Sequence, residues 1–523
     1  MKKKYFAAAL LPLLLLLTAG GWVPKSDPSL VKPNILKPTI SPVAPSETKI
    51  KPVERAPVEP SRAEGEVPPF GIKQFSADDA GYGAKGIVYS KELNQLFIGG
   101  LKGYTVFLLG ISPLGGEFDS AEFPVTADNN MVPLSVSVDK FGFVTLVGYS
   151  GQDLSVPGEG IRSVGTGDGE PVRAPGVRTS NNDIFVIRYN PVLKKINWIK
   201  QWGSPADWSG RNVRSLLPEA SSCSFKSDNA LAAASDVEGF TYIVGTTTCL
   251  DARGNGVDVN NFLIQVSPFM LFHWVREFGS ENQDSADAVA TDAEGNIYVG
   301  GATDISSFWN QKATVFKFNM RGEKLWDANF GGGTTGDTRG PTRVTGIVVD
   351  NANHVLYVTG NTSADLDASG SATGNNNGDI FLAKYDLNGN PLWTAPKQFG
   401  TLTYAPSVAG EDTSTGIALD TASDSRGIIY VSGYTNGFFP GRTLPKGETD
   451  AVLLKLDSDG NLLTVQWPKQ IGSDKRDDGA GVVTDGIGNV FVAGTTYGSV
   501  GEVENPRLSD IFVIEYGPDG AMK

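Results

Sequence analysis

From residue 70 onwards, the hydrophobic residues of the chain lie in short runs of five to seven positions separated by polar turns. The stretch STGIALDTASDSRGIIYVSGYT, followed by GDIFLAKYDLNGNPLWTAPKQFG, shows the pattern. The runs are rich in β-branched and aromatic residues, and turns such as DLNGN separate them, which is typical of antiparallel strands joined by hairpins. We label the four runs A (GIALD), B (IIYVSG), C (DIFLAKY) and D (LWTAPKQFG).

The unit of four runs recurs along the chain. The A and B runs occur seven times, from AKGIVYSKELNQLFIGG to GAGVVTDGIGNVFVAG, and so does the C run. The last C run, DIFVIEY, has no D run after it, whereas a lone D run, FGIKQFS at residues 70–76, precedes the first A run. Radially repeated four-stranded sheets form a β-propeller, so the two fragments are predicted to complete one sheet.

The pattern therefore predicts an all-β fold, a seven-bladed β-propeller of four-stranded antiparallel blades. The N-terminal strand joins the last blade and closes the ring. In particular, Ile72–Phe75 is predicted to pair antiparallel with Ile511–Tyr516.

Residues 1–69 do not share this pattern. The N-terminus, MKKKYFAAALLPLLLLLTAGGW, combines lysines, an apolar run and small residues, which predicts a secretory signal peptide over residues 1–20. Residues 21–69 are rich in proline and have no hydrophobic period, which predicts a disordered linker before the propeller of residues 70–523. An exported protein is expected, located in the periplasm, outside the cell or on its surface, with no transmembrane segment in the mature chain.

The net charge, the cysteines and the histidines limit the classes of function that the chain could have. The formal net charge is −14 and no basic stripe is visible in the folded part, which argues against nucleic-acid binding. In an exported chain, Cys223 and Cys249 are predicted to form a disulfide, with two unpaired thiols as the alternative. The two histidines, His273 and His354, lie far apart, which argues against a His-rich metal site or a His-dependent triad.

The unit G-x-A/V-x-D-x-x-G-N-x-Y-V-x-G-x-T, followed by D-x-F-V-x-K-Y-x-x-x-G-x-x-x-W-x-x-Q-F-G, resembles the SBBP β-propeller repeat family of bacterial exported proteins. GVVTDGIGNVFVAGTT and DIFLAKYDLNGNPLWTAPKQFG carry the resemblance best, and it covers residues 70–523. It implies a seven-bladed propeller on an exported or surface protein. It implies no reaction, because these repeats have no common catalytic set.

The two ends of the predicted propeller differ in loop length. The A–B and C–D turns share one end, which we call the turn face, and are mostly short, as in DAEGN and DSDGN. The B–C and D–A connections share the other end, the loop face, and contain nearly every insertion, including residues 152–182. Long loops on a rigid scaffold usually carry binding, so the loop face is the predicted recognition surface. Both cysteines fall on it, as a disulfide requires.

Two loop-face segments could hold calcium, because hard oxygen ligands on glycine-rich loops suit this ion. DLDASG has the D-x-D-x-S-G start of an EF-hand-like loop, but position twelve is Asn376 rather than Glu, and DARGNGVDVN is the second segment. Solvated turns are the alternative for both, and no other cofactor is predicted. The candidate ligands are Asp365, Asp367, Ser369, Asp251, Asn255 and Asp258.

Aromatic residues fall into two groups. Those on loop-face segments would suit sugar stacking or a protein hot spot, with covering of the loop cores as the alternative. They are Trp208, Trp309, Tyr404, Phe438 and Phe439. The D-run tryptophans recur in register and are interpreted as packing between blades. They are Trp198, Trp274, Trp326 and Trp393.

Two acidic positions recur with the repeat. The Asp at the end of the A run precedes x-x-G-N and is interpreted as a turn former rather than a carboxylate ring. It is present as Asp292, Asp350, Asp420 and Asp485. A second Asp precedes the A run near the channel mouth, where it could bind cations or cap a turn. It is present as Asp79, Asp284, Asp337, Asp412 and Asp477.

Together these features predict a non-catalytic exported or surface propeller whose loop face binds a protein or glycan partner of the cell envelope. The alternative is a propeller enzyme, either quinoprotein-like or a glycan-active hydrolase. NGNPLW shares the G-x-x-x-W of quinoprotein dehydrogenases, but the adjacent cysteines of those enzymes are not evident. DSDGNLLTVQW does not have the S-x-D-x-G-x-T-W spacing of sialidase-like propellers.

Overall fold

The structure is a computed structural model of the chain. The predicted signal peptide and linker lie outside the residues that it describes, so both remain predictions. The described residues are 70–76, 80–113, 118–123, 131–152, 178–202, 213–215, 225–250, 256–269, 271–280, 282–305, 311–332, 340–366, 378–401, 410–422, 427–439, 447–464, 466–500 and 508–523.

The described strands form seven sheets, and each sheet is one blade with its strands in the order A, B, C, D. The first strand, β1 (Ile72–Phe75), belongs to blade 7. Blade 1 contains β2 (Tyr82–Ser90), β3 (Gln95–Lys102), β4 (Thr105–Ile111) and β5 (Phe118–Glu122). Blade 2 contains β6 (Met131–Val138), β7 (Val144–Gln152), β8 (Arg178–Asn190) and β9 (Lys195–Trp202). Blade 3 contains β10 (Val213–Ser215), β11 (Phe225–Ser235), β12 (Thr241–Leu250), β13 (Gly256–Val266) and β14 (Phe272–Phe278).

The remaining blades follow in chain order. Blade 4 contains β15 (Ser285–Thr291), β16 (Ile297–Thr303), β17 (Lys312–Phe318) and β18 (Lys324–Phe330). Blade 5 contains β19 (Thr342–Asp350), β20 (Val355–Thr362), β21 (Asp379–Asp386) and β22 (Lys397–Phe399). Blade 6 contains β23 (Asp412–Asp420), β24 (Ile428–Thr435), β25 (Asp450–Leu456) and β26 (Lys469–Ile471). Blade 7 contains β27 (Asp477–Thr484), β28 (Val490–Thr496), β29 (Asp510–Tyr516) and β1.

The ring closes as predicted. Strand β1 pairs antiparallel with β29, and the register matches Ile72 with Ile514 and Phe75 with Ile511. The inner A strands contact one another in sequence around the axis, and β2 of blade 1 contacts β27 of blade 7. The protein is therefore a seven-bladed β-propeller closed by its N-terminal strand.

Two details differ from the prediction. Blade 3 has a fifth strand, because β10 pairs in parallel with the outer edge of β14 within the predicted D–A loop. The D strands of blades 5 and 6 are only three residues long, since Pro396 and Pro468 lack the N–H that a sheet ladder needs. The amides of Leu392 and Leu463 still bond across to the C strands.

The core lies between the blades. Seven apolar clusters each join two adjacent sheets, and the cluster between blades 7 and 1 unites Phe75 and Ile511 with Ile87 and Phe107. Strands such as β16 and β25 are buried along their whole length because they are covered on both faces. This explains why the B and C runs are nearly continuous apolar sequences rather than alternating ones.

The D-run tryptophans pack between blades, as predicted. A Cβ atom placed on Gly460 of blade 6 would lie 2.5 Å from the Trp393 ring of blade 5, so that ring covers the glycine of the next C–D turn. Trp274 and Trp326 have the same relation to the next blade, and Trp326 Nε1 donates to the Leu387 carbonyl at 3.2 Å. The Trp198 side chain lies outside the described residues.

A cation in the C strand adds a second contact between blades. Lys384 Nζ donates to the carbonyl of Ser458 in the next blade at 2.7 Å and lies over the rings of Tyr357 and Trp393. Lys317 and Lys455 repeat this arrangement with the next C–D turn. The repeated Lys, Tyr and Trp of the motif thus connect each of these blades to its neighbour.

Candidate functional site

A β-bulge at the same place in every A strand builds the central channel. In each blade one residue of the A strand has no partner opposite it on the B strand, as between Ala84 and Gly86. All seven unpaired residues line a channel cavity with a volume of about 240 Å³. They are Lys85, Leu134, Leu231, Asp287, Thr345, Thr415 and Ala480.

The bulge also explains a glycine in every B run. In blade 6, a Cβ on Gly433 would lie 2.0 Å from the carbonyl oxygen of Thr413, because the bulge moves the A strand against the B strand. Any side chain there would collide with backbone. The same close approach occurs at Gly100, Gly148, Gly245, Gly301, Gly360 and Gly494.

Two groups of polar side chains in the channel bond across neighbouring blades. Arg343 Nε donates to Asp287 at 2.6 Å, and its second nitrogen and the Ser285 hydroxyl also bond to this carboxylate. The charge of Asp287 raises the pKa of the Arg343 guanidinium although burial opposes it. The Thr345 hydroxyl lies 2.6 Å from that of Ser414 in the next blade. The channel wall is therefore held by bonds between blades.

The Asp at the end of the A run is a turn former, as interpreted from the sequence. Asp292 Oδ1 accepts the amides of Glu294 and Asn296 at 3.0 and 2.8 Å. The same turn geometry occurs at Asp350, Asp420 and Asp485. These carboxylates accept hydrogen bonds from the amides of their own turns at the turn face.

The Asp before the A run is a buried clamp on the D–A connection. Asp412 accepts the backbone amide and the hydroxyl of Thr401, both at 2.8 Å. Ser280 bonds in the same way to Asp284, and Ser473 to Asp477. The described members therefore cap a turn, which was the alternative to cation binding. Asp79 and Asp337 lie outside the described residues.

Burial perturbs these carboxyl groups. Loss of solvation raises the pKa of Asp412 to about 7, against the hydrogen bonds from Thr435 and Thr401 that favour its charged form. Burial likewise raises the pKa of Asp284 to about 6 and raises that of Asp477. Perturbed carboxyls often mark functional sites, but here the three are buried and each is bonded within its own D–A turn.

A Gln–Asp pair fixes the base of the B–C loops. Gln398 Nε2 in the D strand donates to Asp379 at the start of the C strand at 2.7 Å, while its Oε1 accepts the amide of Leu366 at the start of the loop. Gln470 bonds to Asp450 and to the Gly437 carbonyl in blade 6. The loops therefore leave the blades from fixed positions, which sequence reasoning did not reveal.

The structure describes only part of the predicted calcium sites. Asp365 lies at the base of its loop with one carboxylate oxygen buried and without a hydrogen-bond partner among the described atoms. Asp367, Ser369, Asp251 and Asn255 lie outside the described residues, as does the side chain of Asp258. Within the described ranges no three His, Cys, Asp or Glu side chains form a metal-binding group. Calcium therefore stays a prediction.

Two of the predicted binding aromatics are described. Phe438 is partly exposed on the loop face, whereas Phe439 is 4% exposed in the core between blades 5 and 6 and cannot contact a partner. Trp208, Trp309 and Tyr404 lie outside the described residues. So do Cys223 and the side chain of Cys249, and the disulfide remains a prediction.

A second cavity lies on the outer wall. It has a volume of about 310 Å³ between the outer strand β18 of blade 4 and the irregular segment before β22 of blade 5. Phe330, Tyr385 and Trp393 line it together with Pro391 and Pro396. It exists because the shortened D strand leaves this wall open, and it has few polar groups to orient a ligand.

The architecture defines the class of the protein, an all-β seven-bladed propeller. Residues 273–308 and 466–502 match the family model of the SBBP β-propeller repeat. The first match runs from blade 3 into blade 4, and the second from blade 6 into blade 7. The chain therefore carries SBBP β-propeller repeats. No curated protein matches its sequence at a significant level.

Several solved structures are similar to this chain at low sequence identity. Hydrazine synthase of Kuenenia stuttgartiensis is 10% identical, with a TM-score of 0.43, and the match covers 83% of this chain and 96% of that one. A periplasmic gluconolactonase of Pseudomonas aeruginosa is also 10% identical, with a TM-score of 0.43 and coverage of 84% and 94%. The β-propeller domain of Cps50 (Swd1) from Myceliophteria thermophila is 8% identical, with a TM-score of 0.41 and coverage of 84% and 98%. None of the described residues belongs to a helix long and apolar enough to cross a membrane.

Proposed function

We propose that this propeller is an exported, non-catalytic protein whose loop face binds a protein or glycan partner of the cell envelope. The observation that carries the proposal is the construction of that face. The B–C insertions leave the blades from bases held by the buried Gln–Asp pairs, as at Gln398 and Asp379. The D–A connections are clamped by Asp284, Asp412 and Asp477. A rigid ring with variable segments on one side is the usual form of a recognition surface.

The chemistry of the loop face supports binding rather than turnover. The perturbed carboxyls among its described residues are inaccessible, since Asp412 and Asp477 are 0% exposed, Asp284 is 1% exposed and Asp510 is 2% exposed. A general acid or nucleophile must reach its substrate, and these groups bond to their own turns or, for Asp510, to Gln74 instead. Their role in the proposal is to hold the loops in place.

Site-specific photo-crosslinking in the envelope tests the proposal. A photoreactive residue at Leu444, in the B–C insertion of blade 6, should give a defined adduct. The same residue at Ile487, on the turn face and 78% exposed, is the matched control and should not give that adduct. A glycan partner would instead appear as binding on a glycan array that is lost when residues 440–446 are replaced by Gly and Ser.

Two further measurements bear on the proposal. Amino-terminal sequencing of the protein recovered from the envelope should find the signal peptide removed. Equal crosslinking from both faces would overturn the assignment of the loop face. Glycoside hydrolysis or a bound quinone would overturn the non-catalytic role.

A further inference from the structure

The turn face is apolar in blades 2 and 3, and this departs from the repeat. The C–D turns of blades 5 and 6 read DLNGN and DSDGN, whereas those of blades 2 and 3 read NPVLKK and SPFML. The consensus Asp and Gly have therefore been replaced by proline and large apolar residues. Since blades 5 and 6 show that polar residues make this turn, the fold does not require the apolar ones.

These apolar side chains are exposed. Phe269 is 88% exposed, Val192 70%, Leu271 65% and Leu193 59%, all in the C–D turns of blades 2 and 3. Phe141, Val237 and Met320 belong to neighbouring turns of blades 2, 3 and 4 and are 50% exposed or more. We call these seven residues the apolar tips. Single exposed apolar residues are ordinary, but a group on adjacent turns indicates an interaction surface.

The tips lie side by side. A Cβ placed on Gly239 of blade 3 would be 2.9 Å from the Phe141 ring of blade 2 and 3.4 Å from the Pro268 ring. Gln265 of blade 3 donates to the Met320 carbonyl of blade 4 at 3.4 Å, which joins the next turn to the group. The turns that carry Phe141, Phe269 and Met320 are therefore neighbours across three consecutive blades, and Val192 and Leu193 belong to the other turn of blade 2 on the same face.

The turns of blade 2 are basic, although the protein as a whole is acidic. Lys140, Lys194 and Lys195 belong to the A–B and C–D turns of blade 2, and Glu238, which pairs with Lys140 at 3.7 Å, is the exposed acid among the described turn residues of blades 2 and 3. In blade 4 the exposed charges are mixed, with Glu294 and Glu323 beside Arg321 and Lys324. The C–D turns of blades 5 and 6 carry Asp386, Asp457 and Asp459 instead. In a chain of net charge −14, one side of the turn face is thus apolar and basic and the other is acidic.

We propose that the apolar tips and their lysines dock the propeller on an anionic phospholipid membrane. The headgroup region of a bilayer deforms around protruding turn tips and accepts Phe, Leu and Val side chains. The lysines are placed to meet lipid phosphates, and anionic lipids attract basic residues close to such a surface. Docking by the turn face leaves the loop face directed away from the membrane.

Vesicle flotation tests the proposal with the exported full chain. The wild type should float with vesicles that contain phosphatidylglycerol, and less with phosphatidylcholine alone or at high salt. The combined variant Leu193→Ser, Phe269→Ser, Leu271→Ser should lose at least about tenfold in partition coefficient, because each large apolar side chain buried is worth about a factor of ten or more. All variants carry the same segment before the propeller, so any contribution from that segment is common to them.

The matched control is Leu392→Ser with Ile487→Ser. These exposed apolar residues lie near or on the turn face, outside the tips, and are 47% and 78% exposed. The control should float like the wild type, and both variants should keep its Tm. A second variant, Lys140→Glu with Lys194→Glu, should reduce flotation only with anionic vesicles.

Several results would overturn the inference. The wild type could fail to float, or the serine variant could float unchanged. Loss of a wild-type dimer in that variant, without vesicle binding, would make the tips a self-association surface instead. The test is separate from that of the loop face, because turn-face variants should keep the crosslinks formed from Leu444.

Discussion

Gln74 donates a hydrogen bond to Asp510 at 2.7 Å, although 436 positions separate the two residues. The same pair occurs within single blades, where Gln398 bonds to Asp379 only 19 positions away. Gln74 Oε1 also accepts the amide of Val500, as Gln398 accepts that of Leu366. The closing strand thus reproduces the two hydrogen bonds by which Gln398 fixes the base of its loop.

The closing strand should control the stability of the whole ring. Gln74→Ala should lower the free energy of unfolding by about 1–3 kcal/mol, because it leaves buried polar groups unbonded. Deleting residues 70–76 should lower the Tm much further, since it removes Phe75 from the core and exposes the edge of β29. Lys73→Ala, on the partly exposed neighbouring position, is the control for thermal unfolding. An unchanged Tm in the deletion would contradict closure by this strand.

The buried Asp412 should make stability depend on pH. Its pKa is raised by burial to about 7 in the folded protein, against about 3.9 in the unfolded chain. The folded protein therefore holds this proton more tightly, and wild-type stability falls as the pH rises from about 4 to 7. Asp412→Asn lacks this loss, so its free energy of unfolding relative to wild type should rise by ~1–4 kcal/mol across that window.

The same Asp-to-Asn substitution at an exposed turn should change the pH dependence of stability in the opposite direction. Although burial opposes it, hydrogen bonds from Asn390 and neighbouring amides lower the pKa of Asp386. The stability from Asp386 is therefore present at neutral pH and lost in acid, and Asp386→Asn should differ from wild type mainly above the unfolded pKa. Chemical denaturation of both variants from pH 2 to 8 measures the two slopes, since the change at Asp386 falls below about pH 4 and that at Asp412 between about pH 4 and 7. Parallel curves for Asp412→Asn and wild type would show that this carboxyl does not titrate in the window.

The bulge should make the B-run glycine irreplaceable. Gly433→Ala places a Cβ 2.0 Å from the Thr413 carbonyl, and we expect a loss of at least about 2 kcal/mol because backbone must move. Gly83→Ala is the control, since a Cβ there meets nothing within 4 Å. Its free energy of unfolding should stay within about 0.5 kcal/mol of wild type. Equal losses from the two variants in urea would contradict the close approach.

The energetic effect of the contact between Trp393 and the next blade can be measured by comparing alanine substitutions at two turn glycines. Gly460 and Gly486 have φ values of +76° and +75°, but only at Gly460 would a Cβ meet the Trp393 ring, at 2.5 Å. Gly486→Ala should cost about 1 kcal/mol for the left-handed conformation. Gly460→Ala should cost about 1–3 kcal/mol more through overpacking.

The Trp393→Leu background checks this interpretation. There Gly460→Ala should lose much of its additional cost, because the ring that collides with the new Cβ is absent. A cost that persists in that background would place the strain in the turn itself.

The fold could be predicted from the sequence because every blade repeats the same run order, and the two orphan runs at the ends match the missing parts of one sheet. β10 could not, because Val213–Ser215 pairs in parallel with a strand that follows it by about sixty residues, and nothing local specifies that contact. The bulge left a signal, since glycine at the centre of an otherwise apolar B run indicates close backbone approach. Only the structure shows that the unpaired residue of the A-strand bulge lines the channel.

The sites were less predictable, because exposure depends on packing between blades. Phe439 follows β24 in a segment that resembles a loop, yet it is buried between blades 5 and 6. Conversely, the motifs NPVLKK and SPFML look like ordinary variation of a turn until Phe269 and Leu193 are seen to be exposed together. For the acidic repeat at Asp412, the sequence left both turn capping and cation binding open, because it does not show that Thr401 already bonds to this carboxylate.

The seven bulge residues have a consequence for how this architecture can diversify. Each stands outside the ladder of its own sheet, so neither strand register nor the apolar core depends on its identity. Lysine, leucine, aspartate, threonine and alanine all occupy the position in one molecule. The bore of the ring can therefore acquire a new charge or width one residue at a time, while the walls that enclose it stay the same.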